Sequence, residues 1–155
     1  MIITIKFKIY EADDALLSAY HELYRQAVNK VIMQQHHGVY LHSPLGITNA
    51  IDQYSKRWVI RSAYHYFDKQ KDIYPSWDPF SFRLINNCAL LKCGKSFKAP
   101  YLQVKYHLHD YQRLLLDHAR ILKIDLRKID QHWYLYLLTQ PNIGNTDVKN
   151  NQGCS

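Results

Sequence analysis

The sequence predicts an α+β protein, a small antiparallel β-barrel with a helical insertion between its first and second strands. Three runs of alternating residues carry that reading. In residues 120–139, Leu122, Ile124 and Leu126 oppose Lys123, Asp125 and Arg127. After a break at Ile129-Asp130-Gln131, Trp133, Leu135 and Leu137 oppose Tyr134, Tyr136 and Leu138. Period-two patterning about a polar break is the signature of a β-hairpin. Two strands cannot supply a core in water, and the chain offers two more. Ile3, Ile5, Phe7 and Ile9 alternate with Thr4, Lys6, Lys8 and Tyr10, and Leu102, Val104, Tyr106 and Leu108 alternate with Gln103, Lys105, His107 and His109. Four strands with one apolar face each make a half-buried antiparallel sheet.

Between the first strand and the other three the period changes. Asp13 and Asp14 sit where acidic side chains favour a helix start. Leu16, Leu17, Tyr20, Leu23, Tyr24, Ala27, Val28, Val31 and Ile32 then recur at helical spacing, with His21, Arg25, Asn29 and Lys30 opposite. Gly38, Pro44 and Gly46 mark a loop; its His36, His37 and His42 lack a carboxylate or cysteine to complete a metal site, so a solvated loop is expected. A second helix is expected over residues 49–71. A third is expected from the Asp78-Pro79 start signal through Phe82, Ile85 and Ala89 to Gly94 as its C-cap. A short helix with Tyr111, Leu114, Leu115 and His118 inward joins the second strand to the hairpin. The barrel thus takes residues 1–10 and 96–140, the helical insertion 11–95, and 141–155 form a flexible polar tail.

The chain carries 20 Lys+Arg against 13 Asp+Glu, a formal charge of +7 and a pI near 9.3. That excess favours a polyanion as partner. Thirteen tyrosines and three tryptophans add rings that stack on bases. Cys88, Cys93 and Cys154 match no zinc spacing and predict reduced thiols in a cytoplasmic protein. No signal peptide and no run near the ~18 apolar residues of a membrane span are evident, so a soluble protein without membrane partners is expected.

The candidate nucleic-acid contacts follow from side-chain chemistry and expected facing. Lys6, Lys8 and Lys105 project from the polar faces of strands, and Arg127 from the hairpin. Arg57 and Arg61 form one helical ridge with His65, with Lys56 and Lys69 nearby. Tyr24 and Arg25 lie on the first helix, and Lys95 and Lys98 cluster with Lys92 around Gly94. Such groups grip a phosphate backbone. No cofactor or metal is expected.

The order of elements, with ITIKFKIY at the start and SFKAPYLQVKYHLHDYQRLLL leading into ILKIDLRKIDQHWYLYLLT, resembles the N-terminal half of TnpB-type RNA-guided nucleases, relatives of type V CRISPR effectors. Those proteins begin a small wedge barrel, insert a helical recognition domain, and return to close the barrel with a basic strand, a turn and a Trp-Tyr strand. The resemblance covers residues 1–140. It implies binding of a structured guide RNA and of target DNA, in the cytoplasm and nucleoid of a prokaryote. Family members continue into a RuvC-type nuclease domain, whereas here 16 residues follow Thr139. Metal-dependent cleavage needs converging carboxylates; the tail offers Asp147, and Asp125 and Asp130 are expected at exposed strand and turn positions. The expectation is a non-catalytic module working with a separate RuvC-type nuclease chain, or a nuclease-free binder.

Two other readings compete. A stand-alone basic regulator would bind duplex DNA through the Arg57/Arg61 helix without RNA, though no compact helix-turn-helix is evident. A histidine-based hydrolase would use His107, His109 and Asp110, but these lie on an expected exposed strand surface with no nucleophile placed beside them.

Overall fold

The computed structural model describes residues 1–40, 46–66 and 72–142. Their seven strands pair antiparallel into one nearly closed barrel, confirming the α+β class. The elements in chain order are β1 (Ile3–Ala12), α1 (Asp14–His36), α2 (Lys56–His65), β2 (Ser76–Trp77), β3 (Phe82–Ile85), β4 (Cys88–Lys92), β5 (Tyr101–Tyr106), α3 (Asp110–Asp117), β6 (Ala119–Ile129) and β7 (His132–Pro141). In space the strands run β2-β6-β7-β1-β5-β4-β3. Among the described residues no helix is long and apolar enough to cross a membrane.

The expected hairpin is β6–β7. Asp130 and Gln131 form its two-residue turn, both left-handed at φ 51° and 69°, the conformation whose twist matches the flanking strands. A bulge at Leu122 interrupts the register between Ile121 and Lys123. β1 pairs with β7 along one edge and with β5 along the other. Ile5, Phe7, Leu126, Leu135, Leu137, Leu102 and Val104 therefore point into one core.

Helix α1 starts where Asp13 accepts a hydrogen bond from the Leu16 amide at 3.1 Å, satisfying one of the orphan donors of the first turn. Its buried Leu17, Tyr20, Tyr24, Val28 and Val31 recur three or four apart and lie against the barrel core. Tyr20 stacks on Trp77 at 5.0 Å. The Trp77 indole N–H donates to the Lys92 carbonyl at 3.0 Å, tying β2 to β4 near the two ends of the strand order.

Five expectations need correction. The Asp78-Pro79 signal starts a single 3-10 turn, Pro79–Ser81, with the Asp78 side chain accepting from the Phe80 amide; the chain then forms the β3–β4 hairpin in place of a third helix. Phe82, Ile85 and Ala89 fit helical spacing, but Phe82/Leu84 and Ala89/Leu91 also alternate. Asn86, at φ 54°, supplies the left-handed turn residue that decides between them. Three of the seven strands, β2 to β4, thus lie within residues 11–95, where a helical insertion is expected from sequence. Gly94 is no helix cap: it lets two backbones touch, since a Cβ there would lie 2.1 Å from the Asn49 carbonyl oxygen. The second helix spans Lys56–His65 and buries Val59 and Ala63, while residues 46–55 form turns bridged to the barrel through Ile51 and Cys93. On α3, Tyr111 and Leu114 face out at 71% and 57% exposure, His118 is exposed at its C-cap, and Leu115 and Leu116 pack on the core. Asp125 is buried, not exposed.

Candidate nucleic-acid interface

Strand register builds a continuous outer face from β1, β7 and β6. Lys6 lies opposite Tyr136 and Lys8 opposite Tyr134; on the other side Tyr136 faces Asp125 and Tyr134 faces Arg127. Directly paired residues share one face of a sheet, so these six side chains stand together outside the barrel.

The rings hold the cations. Lys6 Nζ lies 4.4 Å from the Tyr134 ring centre and 5.7 Å from that of Tyr136. The Arg127 guanidinium lies 4.1 Å from the Tyr136 ring and 4.6 Å from that of Tyr74. Each contact is worth roughly 0.5–1 kcal/mol when exposed; Lys6 is exposed, whereas Arg127 is half-buried against its two rings.

Asp125 fixes the pattern from beneath. One carboxylate oxygen accepts from Ser76 Oγ at 2.7 Å and meets Lys123 Nζ at 3.4 Å; the other accepts from Arg127 at 3.1 Å. A buried carboxylate needs such partners, and here they place two cations. Lys123 continues to Trp58 of α2, 5.1 Å from its ring, where Arg57 and Arg61 also lie at 5.3 and 4.9 Å. The strip therefore runs from Lys8 and Lys6 across three tyrosines to a tryptophan ringed by three cations. Burial, with Asp125 adding to it, raises the Tyr66 phenol, and burial with Asp72 raises Tyr74; both hydroxyls keep their protons at neutral pH and can donate.

Of the candidates from sequence, Lys6, Lys8, Arg57, Arg61 and Arg127 belong to this strip. Arg57 is additionally ion-paired to the buried Asp78. Lys105 pairs with Glu11 at 3.1 Å, and Arg25 with Glu22 on the outside of α1. Lys56 turns to Asn49 Oδ1 at 2.8 Å. Lys95 and Lys98 are exposed in the turn between β4 and β5. Lys69 lies outside the described residues, as do His42, Asp147 and Cys154. Tyr24 is a correction: it is fully buried, its hydroxyl 3.3 Å from Ser62 Oγ, so no base reaches its ring. The hydrolase histidines have other uses, His107 stacking on Tyr10 at 4.2 Å and His109 capping α3.

Sequence reasoning passed over Trp58, Tyr74, Lys123, Tyr134 and Tyr136. For the two β7 tyrosines the signal was present: both oppose Trp133, Leu135 and Leu137, and so must face the side on which β1 carries Lys6 and Lys8. No family model matches the chain, and no match is found among curated proteins.

Proposed function

We propose that the chain is a nucleic-acid-binding module, gripping structured RNA and the DNA paired to it through the outer face of β6, β7 and β1. One observation carries the reading: Tyr136 stands between Lys6 and Arg127, and Asp125, which holds Arg127, also holds Lys123 against Trp58, where Arg57 and Arg61 gather. Half-buried rings with cations over their faces hold a row of positive charge ready to neutralise phosphate, the term that dominates backbone binding to RNA and DNA. With β1 at the start, helices α1 and α2 after it, and β5, α3 and the β6–β7 hairpin at the end, this favours a role like that of the recognition half of TnpB-type systems, where the protein holds guide RNA and heteroduplex by the backbone and base pairing supplies specificity. The reading assigns the chain binding and no catalytic step, acting with a separate RuvC-type nuclease chain or as a nuclease-free binder.

The test is to purify the protein from its host at moderate salt and sequence the RNA that accompanies it. One enriched structured RNA, lost from the Lys6→Glu/Arg61→Glu variant, supports the proposal. A second reading rests on the exposed Arg57 and Arg61 ridge of α2, which suits a duplex backbone. Salt-sensitive duplex binding with no specific RNA would favour that stand-alone regulator.

A further inference from the structure

A second feature lies in a different part of the molecule. Helix α1 and the segment leading into α2 enclose a cleft of about 770 Å³, within the range of pockets that take small ligands. Leu23, Ala27, Val31 and Ile47 supply its apolar surface. Around them stand four side-chain amides, Gln26, Gln34, Asn49 and Gln53. Lys30 and Lys56 complete it, and among the described residues no carboxylate lines it. Lys56 is held by the neutral Asn49. Among the described residues Lys30 has no acidic partner.

The wall opposite α1 is fixed in advance. The Gly94 amide donates to the Ala50 carbonyl at 2.8 Å, and the Ser96 amide to that of Asn49 at 3.2 Å. The Ala50 amide donates to Thr48 Oγ1 at 3.2 Å. These bonds bolt residues 48–51 to the end of β4, so the cleft needs no ordering of that wall when a ligand enters.

From this we infer that the cleft binds a nucleotide. Phosphate or another simple anion would use only the lysines. An apolar peptide would desolvate the amides of Gln34 and Gln53 and the ammonium of Lys30 and offer them no partner, each at a cost. A nucleotide answers all three elements: its base lies on apolar surface, its ring edge exchanges donor and acceptor pairs with amides, and its phosphate meets two ammonium groups. The same chemistry comes from two sources, a free mononucleotide or one unpaired nucleotide of a bound strand. The inference does not depend on the sheet face being an RNA interface.

The experiment titrates the full chain with AMP, GMP, CMP, UMP, inorganic phosphate and a short single-stranded oligoribonucleotide, by calorimetry and amide NMR shifts. Wild type, Lys30→Glu, Lys56→Gln and the sheet-face variant Lys6→Glu are compared, with urea unfolding as the control for folding. The expected result is binding of at least one mononucleotide, more tightly than phosphate, weakened about tenfold or more by Lys30→Glu and unchanged by Lys6→Glu. Oligonucleotide binding that depends on Lys30, with no response to free mononucleotides, identifies the source as an unpaired nucleotide of the strand. Phosphate binding as well as any nucleotide, or nucleotide binding indifferent to both lysines, overturns the inference. Loss of oligonucleotide binding in Lys6→Glu alone bears on the sheet face and leaves the cleft standing.

Discussion

The guanidinium of Arg127 lies 4.1 Å from the ring centre of Tyr136, held there by Asp125 two residues back on the same strand. Asp125 also holds Lys123, which reaches Trp58, so one buried carboxylate organises both halves of the basic strip. This makes Asp125→Asn informative. If charge alone governed polyanion binding, removing a negative group would tighten it. We expect RNA affinity to fall instead, by roughly 3- to 10-fold, because both cations lose their anchor and must be ordered on binding. Filter binding at fixed salt, with urea unfolding to correct for stability, decides between the two signs.

Charge reversal on the strip tests its contact with phosphate. Arg61 is the better target on α2, because changing Arg57 would strand the buried carboxylate of Asp78 and confound binding with stability. Lys6→Glu/Arg61→Glu is expected to weaken RNA binding by more than about tenfold. It should also flatten log K against log salt by about 1.4, from two lost contacts at roughly 0.7 each. An unchanged slope would place the backbone elsewhere on the protein.

The strands that form the platform were legible because each keeps one face inside. Ile5, Phe7, Leu135 and Leu137 alternate without interruption, and their outward neighbours follow by geometry. The β3–β4 hairpin was not legible, since its apolar residues satisfy periods of two and of 3.6, and Asp78-Pro79 caps a helical turn of any length. Asp125 could not be placed either. It sits on the polar parity of β6, and only the approach of β2 and the paired Ser76 covers it. Tyr24 falls among the buried positions of α1 by spacing alone, so its place in the core is legible and its aromatic ring is no evidence for a nucleic-acid contact.

That last point has its own test. Tyr24→Phe removes a buried hydroxyl whose partner is Ser62. It is expected to lower stability by about 1 kcal/mol and to leave RNA affinity and salt slope as they are. A loss of affinity without a loss of stability would return Tyr24 to the interface.

Stability should fall on the alkaline side. Burial raises the phenols of Tyr20 and Tyr24 and pushes Tyr106 up to about 12; it likewise pushes the Cys93 thiol up to about 12. In the unfolded chain thiols ionise near ~8.5 and phenols near ~10. Above those values the unfolded state sheds protons that the native state keeps, so stability is intact below them and is lost as pH rises toward the folded-state values. The urea midpoint is expected to hold between pH 7 and about 8 and to decline from about 9 as Cys93 contributes. It should steepen above about 10, with each titrating group adding up to ~1.4 kcal/mol per pH unit. Cys93→Ala should remove the first part of the decline and leave the second. A flat midpoint to about pH 11 would mean these groups ionise as freely in the native protein as outside it.

Gly94 joins the barrel to the wall of the cleft, and a side chain there should be felt in both. A Cβ would fall 2.1 Å from the Asn49 carbonyl oxygen and 2.6 Å from the Ala50 carbonyl carbon. Both are backbone atoms, so no rotamer change relieves the contact. The segments must separate, breaking the Gly94–Ala50 hydrogen bond and the Ile51–Cys93 bridge. Gly94→Ala is expected to cost about 2–4 kcal/mol, at or above the upper end for overpacking because the obstacle cannot repack. The local nature of the damage gives a second readout. Amides of residues 48–51 and 93–96 should lose hydrogen-exchange protection well before those of β1, β6 and β7, since the strand ladder there does not pass through Gly94. Uniform loss of protection would instead mean that the 48–51 segment and the barrel unfold as one cooperative unit.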